Sequence, residues 1–302
     1  MKRLFVACLV LVAFAPAPVA QARYARAVLL FNLQDPVITE SSGVASSSYS
    51  NDVIFTHNDS GDYSRFFAIG PKGRTIGTYS VVGAGFADWE DMVRGPAPGG
   101  GSVLWFADIG DNYAPQPTRP FVTLYAVAEP RVDPKTPAGD VAVPVTDFGD
   151  FVYEDGPHNS ETLLVHPKTG DLVTVGKEPS GDSGVFVAEP VIPGINVFRR
   201  VATIPFSKLA RPRQPTDFDA TSRLLTTGGD ISPDGRRLVI RTYVEAFEWD
   251  ISKGLVAGLR RKPARIPLPF TKQGEAIGYT RDGRSLITTS EQLPAPVHLI
   301  RG

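Results

Sequence analysis

A short phrase recurs along this chain: an acidic residue, a half-apolar run, a turn and a second apolar run. It opens at Glu40 (ESSGVA), Glu90 (EDMV), Glu161 (ETLLVHP) and Glu275 (EAIGYT), and a fifth copy, TGGDISPDG from Thr227, has threonine in the acidic place. Such a repeat builds a row of similar units, because one unit alone cannot bury its apolar face. Two copies match without a gap, since Glu161 and Lys177, and likewise Glu275 and Glu291, are 16 residues apart. Setting Leu238 against Leu286 aligns the Thr227 copy and puts Tyr243 opposite Lys177 and Glu291. The first two copies need longer turns, at 47–51 and 95–101, and the same alignment then puts Asn58 and Asp108 at that position.

The runs are short, rich in β-branched and aromatic residues, and bounded by Gly, Pro, Asp and Asn, which reads as strands. The turns Pro167–Gly170, Pro233–Gly235 and Arg281–Gly283 suit hairpins, because Gly, Asp and Asn tolerate positive φ. The 29 glycines and 27 prolines fit many turns rather than long helices. A third strand follows in each copy, and two of these share Val-Ala-Glu-Pro. Fourth strands are expected at 75–81, 141–148, 197–204 and 265–268. The last copy stops after its third strand, whereas residues 27–33 supply a spare one. The expected fold is therefore all-β: a β-propeller of five blades closed by the N-terminal strand, or of six if 206–225 hides another unit. A pair of β-sandwiches is the competing arrangement, and it leaves the repeat and the complementary ends unexplained.

Residues 1–22 read as a signal peptide: Lys2 and Arg3, an apolar run from Leu4 to Ala15, and a small-x-small site at Ala20–Ala22. The run is too short to span a bilayer. The domain is then 23–302, expected to be exported, soluble and monomeric. The only cysteine, Cys8, lies in the removed segment, so disulfide, thiolate and Cys-zinc chemistry are excluded. Loss of Lys2 and Arg3 takes the formal net charge from −1 to −3, which argues against a nucleic-acid partner. The remaining histidines are scattered, without zinc-ligand spacing.

In a propeller the first strand of each blade lines the central channel, so Glu40, Glu90, Glu161 and Glu275 should converge near one mouth, with Asp91 and Asp230 close by. Carboxylates a few ångström apart repel, and must be protonated, paired or bound to a cation. Two readings stand. Each glutamate caps backbone amides of the neighbouring blade, or the group holds a hard cation, Ca2+ before a transition metal. The loops HNDSGDYS and ADIGDNY add oxygen ligands, and Asp108 and Asp111 join the four glutamates as candidate metal ligands. Asx-turns account for the same letters. Asn58, Asp59, Asn112, Tyr243 and Glu291, at or beside the strand exits, are the candidate ligand-binding residues. Lys177 and Arg241 either neutralise the glutamates or grip an anionic group. Trp89, Trp105 and Trp249 are expected to fill between blades.

The strings ESSGVASS, HNDSGD, DWED, ADIGDN, NSETLLVHP, TGGDISPDGRRLVIRTY and QGEAIGY together resemble a family of exported bacterial β-propellers, common in actinobacteria, of unassigned activity. The resemblance covers most of residues 23–302. The turns SPDGRRL and TRDGRSL are similar to those of WD40-type and TolB-type propellers. The channel acids are also similar in theme to those of esterase-like phytase propellers, which implies calcium but carries over no motif.

These readings converge on a secreted binding module whose acidic, Ca2+-binding mouth holds a small anionic or polar ligand. One alternative is a metal-assisted phosphoester or ester hydrolase at the same mouth. In that reading Glu161 or Glu275 is the general base, and Lys177 and Arg241 stabilise developing charge. The other alternative is a protein-interaction scaffold using the loops at 113–120 and 211–215.

Overall fold

The computed structural model describes residues 24–302 apart from 60, 98, 113–116, 193, 216 and 218, so the expected signal segment lies outside the described residues. The strands follow the repeat. After β1 (Val28–Asn32), a first unit runs through β2 (Ser41–Ser46), β3 (Ile54–Asn58), β4 (Arg65–Ile69) and β5 (Thr75–Val82). A second contains β6 (Trp89–Pro96), β7 (Ser102–Asp108) and β8 (Val122–Ala128); then come β9 (Asp140–Pro144) and β10 (Asp147–Tyr153). A third contains β11 (Ser160–Val165), β12 (Leu172–Gly176), β13 (Asp182–Ala188) and β14 (Ile195–Pro205). A helical turn α1 (Phe206–Leu209) leads to the fourth, β15 (Thr226–Ile231), β16 (Arg237–Thr242) and β17 (Glu245–Asp250). The short helix α2 (Leu255–Leu259) precedes its last strand, β18 (Ala264–Pro267), and the chain finishes with β19 (Gln273–Tyr279), β20 (Ser285–Glu291) and β21 (Pro296–Arg301).

Strand pairing resolves these into five four-stranded antiparallel units. The second unit takes β10 as its outer strand, and β10 pairs in parallel with β14, which joins the second and third units at their outer edges. β9 adds in parallel to the outer strand of the first unit. The fifth unit is completed from the other end of the described chain, because β1 pairs with β21. The inner strands touch in a closed circuit, β2 to β6 to β11 to β15 to β19 and back to β2. This is a β-propeller closed by its N-terminal strand. Residues 206–225 contain α1 and no strand among the described residues.

The cores lie between adjacent units rather than within them. Phe55, Phe66, Trp89 and Phe106 form one such layer, with Trp89 stacked on Phe106 at 4.7 Å. Trp105 and Trp249 fill two others, as expected. Around the channel the inner strands approach closely where a side chain is missing. A Cβ on Gly43 would lie 2.3 Å from the amide nitrogen of Met92 on the neighbouring inner strand.

Candidate cation site at the channel mouth

Each inner strand breaks register with its partner near its beginning. The irregularity falls between Trp89 and Asp91, Ser160 and Thr162, Thr226 and Gly228, Gly274 and Ile277, and Ser41 and Val44. The residue skipped is Glu90, Glu161 or Thr227, and the skipped pairs are Glu275–Ala276 and Ser42–Gly43. A bulge leaves its extra residue out of the ladder and re-aims its side chain. Glu90, Glu161 and Glu275 are therefore bulge residues, and this turns them toward the mouth.

The same pairing corrects the repeat alignment in the first two units. Ser41 pairs with Asn58 and Trp89 with Asp108, just as Ser160 pairs with Gly176, Thr226 with Thr242 and Gly274 with Ser290. The first-unit counterpart of Glu90 is thus Ser42, and Glu40 corresponds to Asp88. The counterparts of Lys177, Tyr243 and Glu291 are Asp59 and Ile109, not Asn58 and Asp108. A one-residue slip sends a strand's side chains to the opposite face, and the bonds show the result. Asn58 accepts from the amide of Glu40 and donates to Val37 and Asp62. Asp108 accepts from the amides of Ala87 and Asp88 and pairs with Arg119 at 2.8 Å. Asp111 accepts from the amides of Thr118 and Arg119. The oxygens of Asp108 and Asp111, expected as metal ligands, and of Asn58, expected as a ligand contact, are engaged in organising the loops. Asn112 is exposed.

Glu90 and Glu275 do not cap neighbouring amides; that role belongs to aspartates deeper in the channel. Asp91 accepts from the amides of Leu163 and Gly229 in two other units, and Asp230 accepts from that of Tyr279. Where the bulge residue is Ser42 or Thr227, its hydroxyl donates to the carbonyl of Glu90 or Glu275 in the next unit. Three glutamates are left at the mouth with Asp59, Asp88, Glu40 and Glu291.

Asp59, Asp88 and Glu90 each offer an oxygen within 4.8 Å of the others. Glu90 is 1% exposed and, among the described residues, neither of its carboxylate oxygens has a hydrogen-bond partner; Asp59 Oδ1 is likewise buried without one. Gly110 forms the back of this group. A Cβ there would sit 2.1 Å from Glu90 Oε1 and 2.2 Å from Asp88 Oδ2, so only glycine admits the two carboxylates. Asp88 was not singled out in the sequence. It stands two residues before Glu90 in the string DWED.

Crowding shows in the proton affinities. Burial first, and then Glu161, Asp88, Glu275 and Glu40, push Asp59 up to about 8. Burial, then Asp59, Glu40 and Glu161, push Glu291 up to about 8. Glu90 is raised well above the carboxylate range by burial and by Glu161, Asp59 and Asp88, and Glu275 by burial and Glu161. Lys177 bonds Glu161 Oε1; burial disfavours its charge, but Glu161, Tyr243, Glu275 and Glu90 together hold it well above its ordinary value.

Arg241 does not face the mouth. It is 1% exposed and donates to the carbonyls of Thr242, Ala276, Thr289 and Tyr243 and to the Thr288 hydroxyl. Burial lowers it to about 10. Of the two roles expected for it, neutralising the glutamates or gripping an anionic group, these bonds give it neither directly; they fix it in the wall behind Glu275. Of the loops considered for a scaffold, residues 113–116 lie outside the described residues, and Arg211 pairs with Asp217.

No family model and no curated protein matches the chain. Among solved structures it is similar to a gluconolactonase from Xanthomonas campestris, at 12% identity over 91% of this chain and 89% of that one, with a TM-score of 0.45. It is also similar to the hydrazine synthase of Kuenenia stuttgartiensis (12%, 87% and 71%, 0.42) and to the WD40 repeats of RRP9 (11%, 91% and 97%, 0.46). Likeness at this level carries no inference about activity, and the fold assignment rests on the strand order.

Proposed function

We propose that the protein is a cation-dependent binding module, in which Asp59, Asp88 and Glu90 hold a hard divalent ion, Ca2+ first, at the channel mouth. The observation that carries this reading is Glu90: a carboxylate withdrawn from water, with both oxygens unpartnered, beside two further acids. A buried charge without a partner is costly, and a cation is the partner this geometry suits. Oxygens up to 4.8 Å apart can share one ion lying about 2.4 Å from each, a Ca2+ distance, and an all-oxygen set suits Ca2+ better than softer metals. A small polar or anionic ligand completes the coordination shell from the solvent side. An exported setting, as read from residues 1–22, suits a weak site, since extracellular Ca2+ modules work at roughly 0.1–1 mM.

The test is calorimetric titration of Ca2+ into chelator-treated protein, with Asp59→Asn and Glu90→Gln alongside. Saturable binding in the natural chain that both variants lose supports the reading. No binding at millimolar Ca2+ rejects it.

Metal-assisted hydrolysis at the same mouth is a second reading, favoured by one observation. Glu161 is spent on Lys177, but Glu275 Oε2 is buried without a partner and its proton affinity is raised, as a general base requires. Turnover of aryl phosphates or esters that Glu275→Gln abolishes would support it. Absence of turnover in the Ca2+-loaded protein would reject it.

A further inference from the structure

The mouth lies at the beginnings of the inner strands. At their other ends is a second cavity, of about 260 Å3, and all five units contribute to its wall through Ser46, Arg94, Pro167, Asp230 and Tyr279. It is smaller than the roughly 300–1,000 Å3 typical of sites for drug-sized ligands, so its occupant must be the size of a simple metabolite. None of the acids at the mouth lines it.

Two opposite charges share this wall. Arg94, on β6, is partly buried, and among the described residues its one hydrogen bond runs from Nη1 to the carbonyl of Ser46, at 2.8 Å. A guanidinium carries five N–H donors, so most of this one's capacity is unspent. Asp230, on β15, is also partly buried, and it accepts the amide of Ile231 on Oδ1 and that of Tyr279 on Oδ2. Each carboxylate oxygen has a second lone pair to offer. Among the described residues neither group forms an ion pair, with the other or with any other side chain. Burial pushes Asp230 up to about 7, against the Tyr279 amide and the Arg94 charge, as befits a carboxylate without a bound counter-ion. Elsewhere the chain spends its partly buried arginines: Arg119 on Asp108, Arg211 on Asp217 and Arg237 on Glu248.

A ligand that satisfies both groups must itself carry both charges. A simple anion would take the guanidinium but stand beside the carboxylate, and a simple cation would do the reverse. An α-amino acid is the smallest common metabolite with the two charges side by side. Its carboxylate can take two parallel N–H···O bonds from a guanidinium, and its ammonium can donate to the lone pairs of Asp230 that the amides leave open.

We propose that this cavity binds a small free α-amino acid, carboxylate on Arg94 and ammonium on Asp230. The site is separate from the cation site at the mouth and needs no metal.

The probes are the common L-α-amino acids, titrated calorimetrically one at a time into chelator-treated protein. Saturable binding of at least one of them at millimolar concentration is expected. Acetylating the amine of that amino acid, or amidating its carboxylate, should each weaken binding by about tenfold or more, the loss that follows when a charge-assisted bond is removed. Arg94→Met, which keeps an apolar stem without the guanidinium, should weaken it as much. Ser48→Phe, on the cavity wall and remote from neither charge's backbone ties, should block binding by filling the space. It serves as the locating variant if Arg94→Met fails to fold. No saturable binding by any amino acid overturns the proposal. So does a blocked derivative that binds as tightly as the free amino acid. Full affinity in either folded variant also overturns it, because the ligand then sits elsewhere.

Discussion

Replacing Glu90 by glutamine should move stability in opposite directions with and without Ca2+. In the chelated natural protein at pH 8, Glu90 is buried with two unpartnered oxygens, beside Asp59 and Asp88. Leaving a buried polar group unsatisfied costs about 1–3 kcal/mol, and more when it is charged. A glutamine has nearly the same shape, carries no charge, and can donate its amide to a neighbouring carboxylate. The chelated variant should therefore be more stable by about 1–3 kcal/mol. For a chain of this length each kcal/mol moves the midpoint by about 2–4 °C. Adding Ca2+ at a hundred times its dissociation constant should stabilise the natural protein by about 2.7 kcal/mol, and the variant by nothing. Differential scanning fluorimetry in chelator and in Ca2+ reads both effects, and the gap between the two midpoints should close or invert. A chelated variant that melts lower than the natural protein would mean that Glu90 is paired. Equal Ca2+ increments would mean that the ion sits elsewhere. Either result refutes the reasoning.

Further predictions rest on other parts of the same geometry. Gly110→Ala should abolish Ca2+ binding by calorimetry, because its Cβ would sit 2.1 Å from Glu90 Oε1 and 2.2 Å from Asp88 Oδ2; unchanged binding would show that the two carboxylates are free to move aside. The chelated protein should lose stability as pH rises from about 4 to about 8. Asp59 and Glu291 titrate at their ordinary values of 3.8 and 4.5 when unfolded but at about 8 when folded, so across that window the folded state binds more protons. Each such proton difference costs up to about 1.4 kcal/mol per pH unit, and urea midpoints in chelator at stepped pH would read it. Saturating Ca2+ should flatten the dependence. Asp91→Ala should cost about 2–4 kcal/mol in urea unfolding, because the buried amides of Leu163 and Gly229 lose their acceptor.

The fold was legible because hydrophobic alternation and turn chemistry are local, and because the repeat supplied the long-range information. The spare N-terminal strand and the truncated last copy pointed to β1 pairing with β21, and they do pair. The site was legible only in part, and the errors have one source. In the third to fifth units the turn lengths are alike, so Lys177, Tyr243 and Glu291 were placed together correctly. In the first two units the turns are longer, and letters alone cannot fix the strand register across them. Choosing Asn58 and Asp108 instead of Asp59 and Ile109 is a slip of one residue, enough to exchange mouth-facing side chains for loop-capping ones. The bulges at Glu90, Glu161 and Glu275 leave no mark in the sequence, since any residue can occupy them. Arg241 looked like a ligand group because its burial against Gly274 is a tertiary fact: a Cβ on that glycine would lie 2.0 Å from its Nη2.

The pairing of β1 with β21 has a kinetic meaning as well as an architectural one. Val28 finds its partner in Leu299, so the fifth unit joins strands from opposite ends of the described chain. Contacts this distant in sequence are slow to form, because the loop-closure entropy is lost before any pairing rewards it. Until the C-terminal strand arrives, β1 and β20 each present an open edge to any other nascent chain. The ring is thus most vulnerable to intermolecular strand exchange in the interval before its last strand is made. A peptide matching β21 would be a selective trap for the unclosed form and inert toward the finished one.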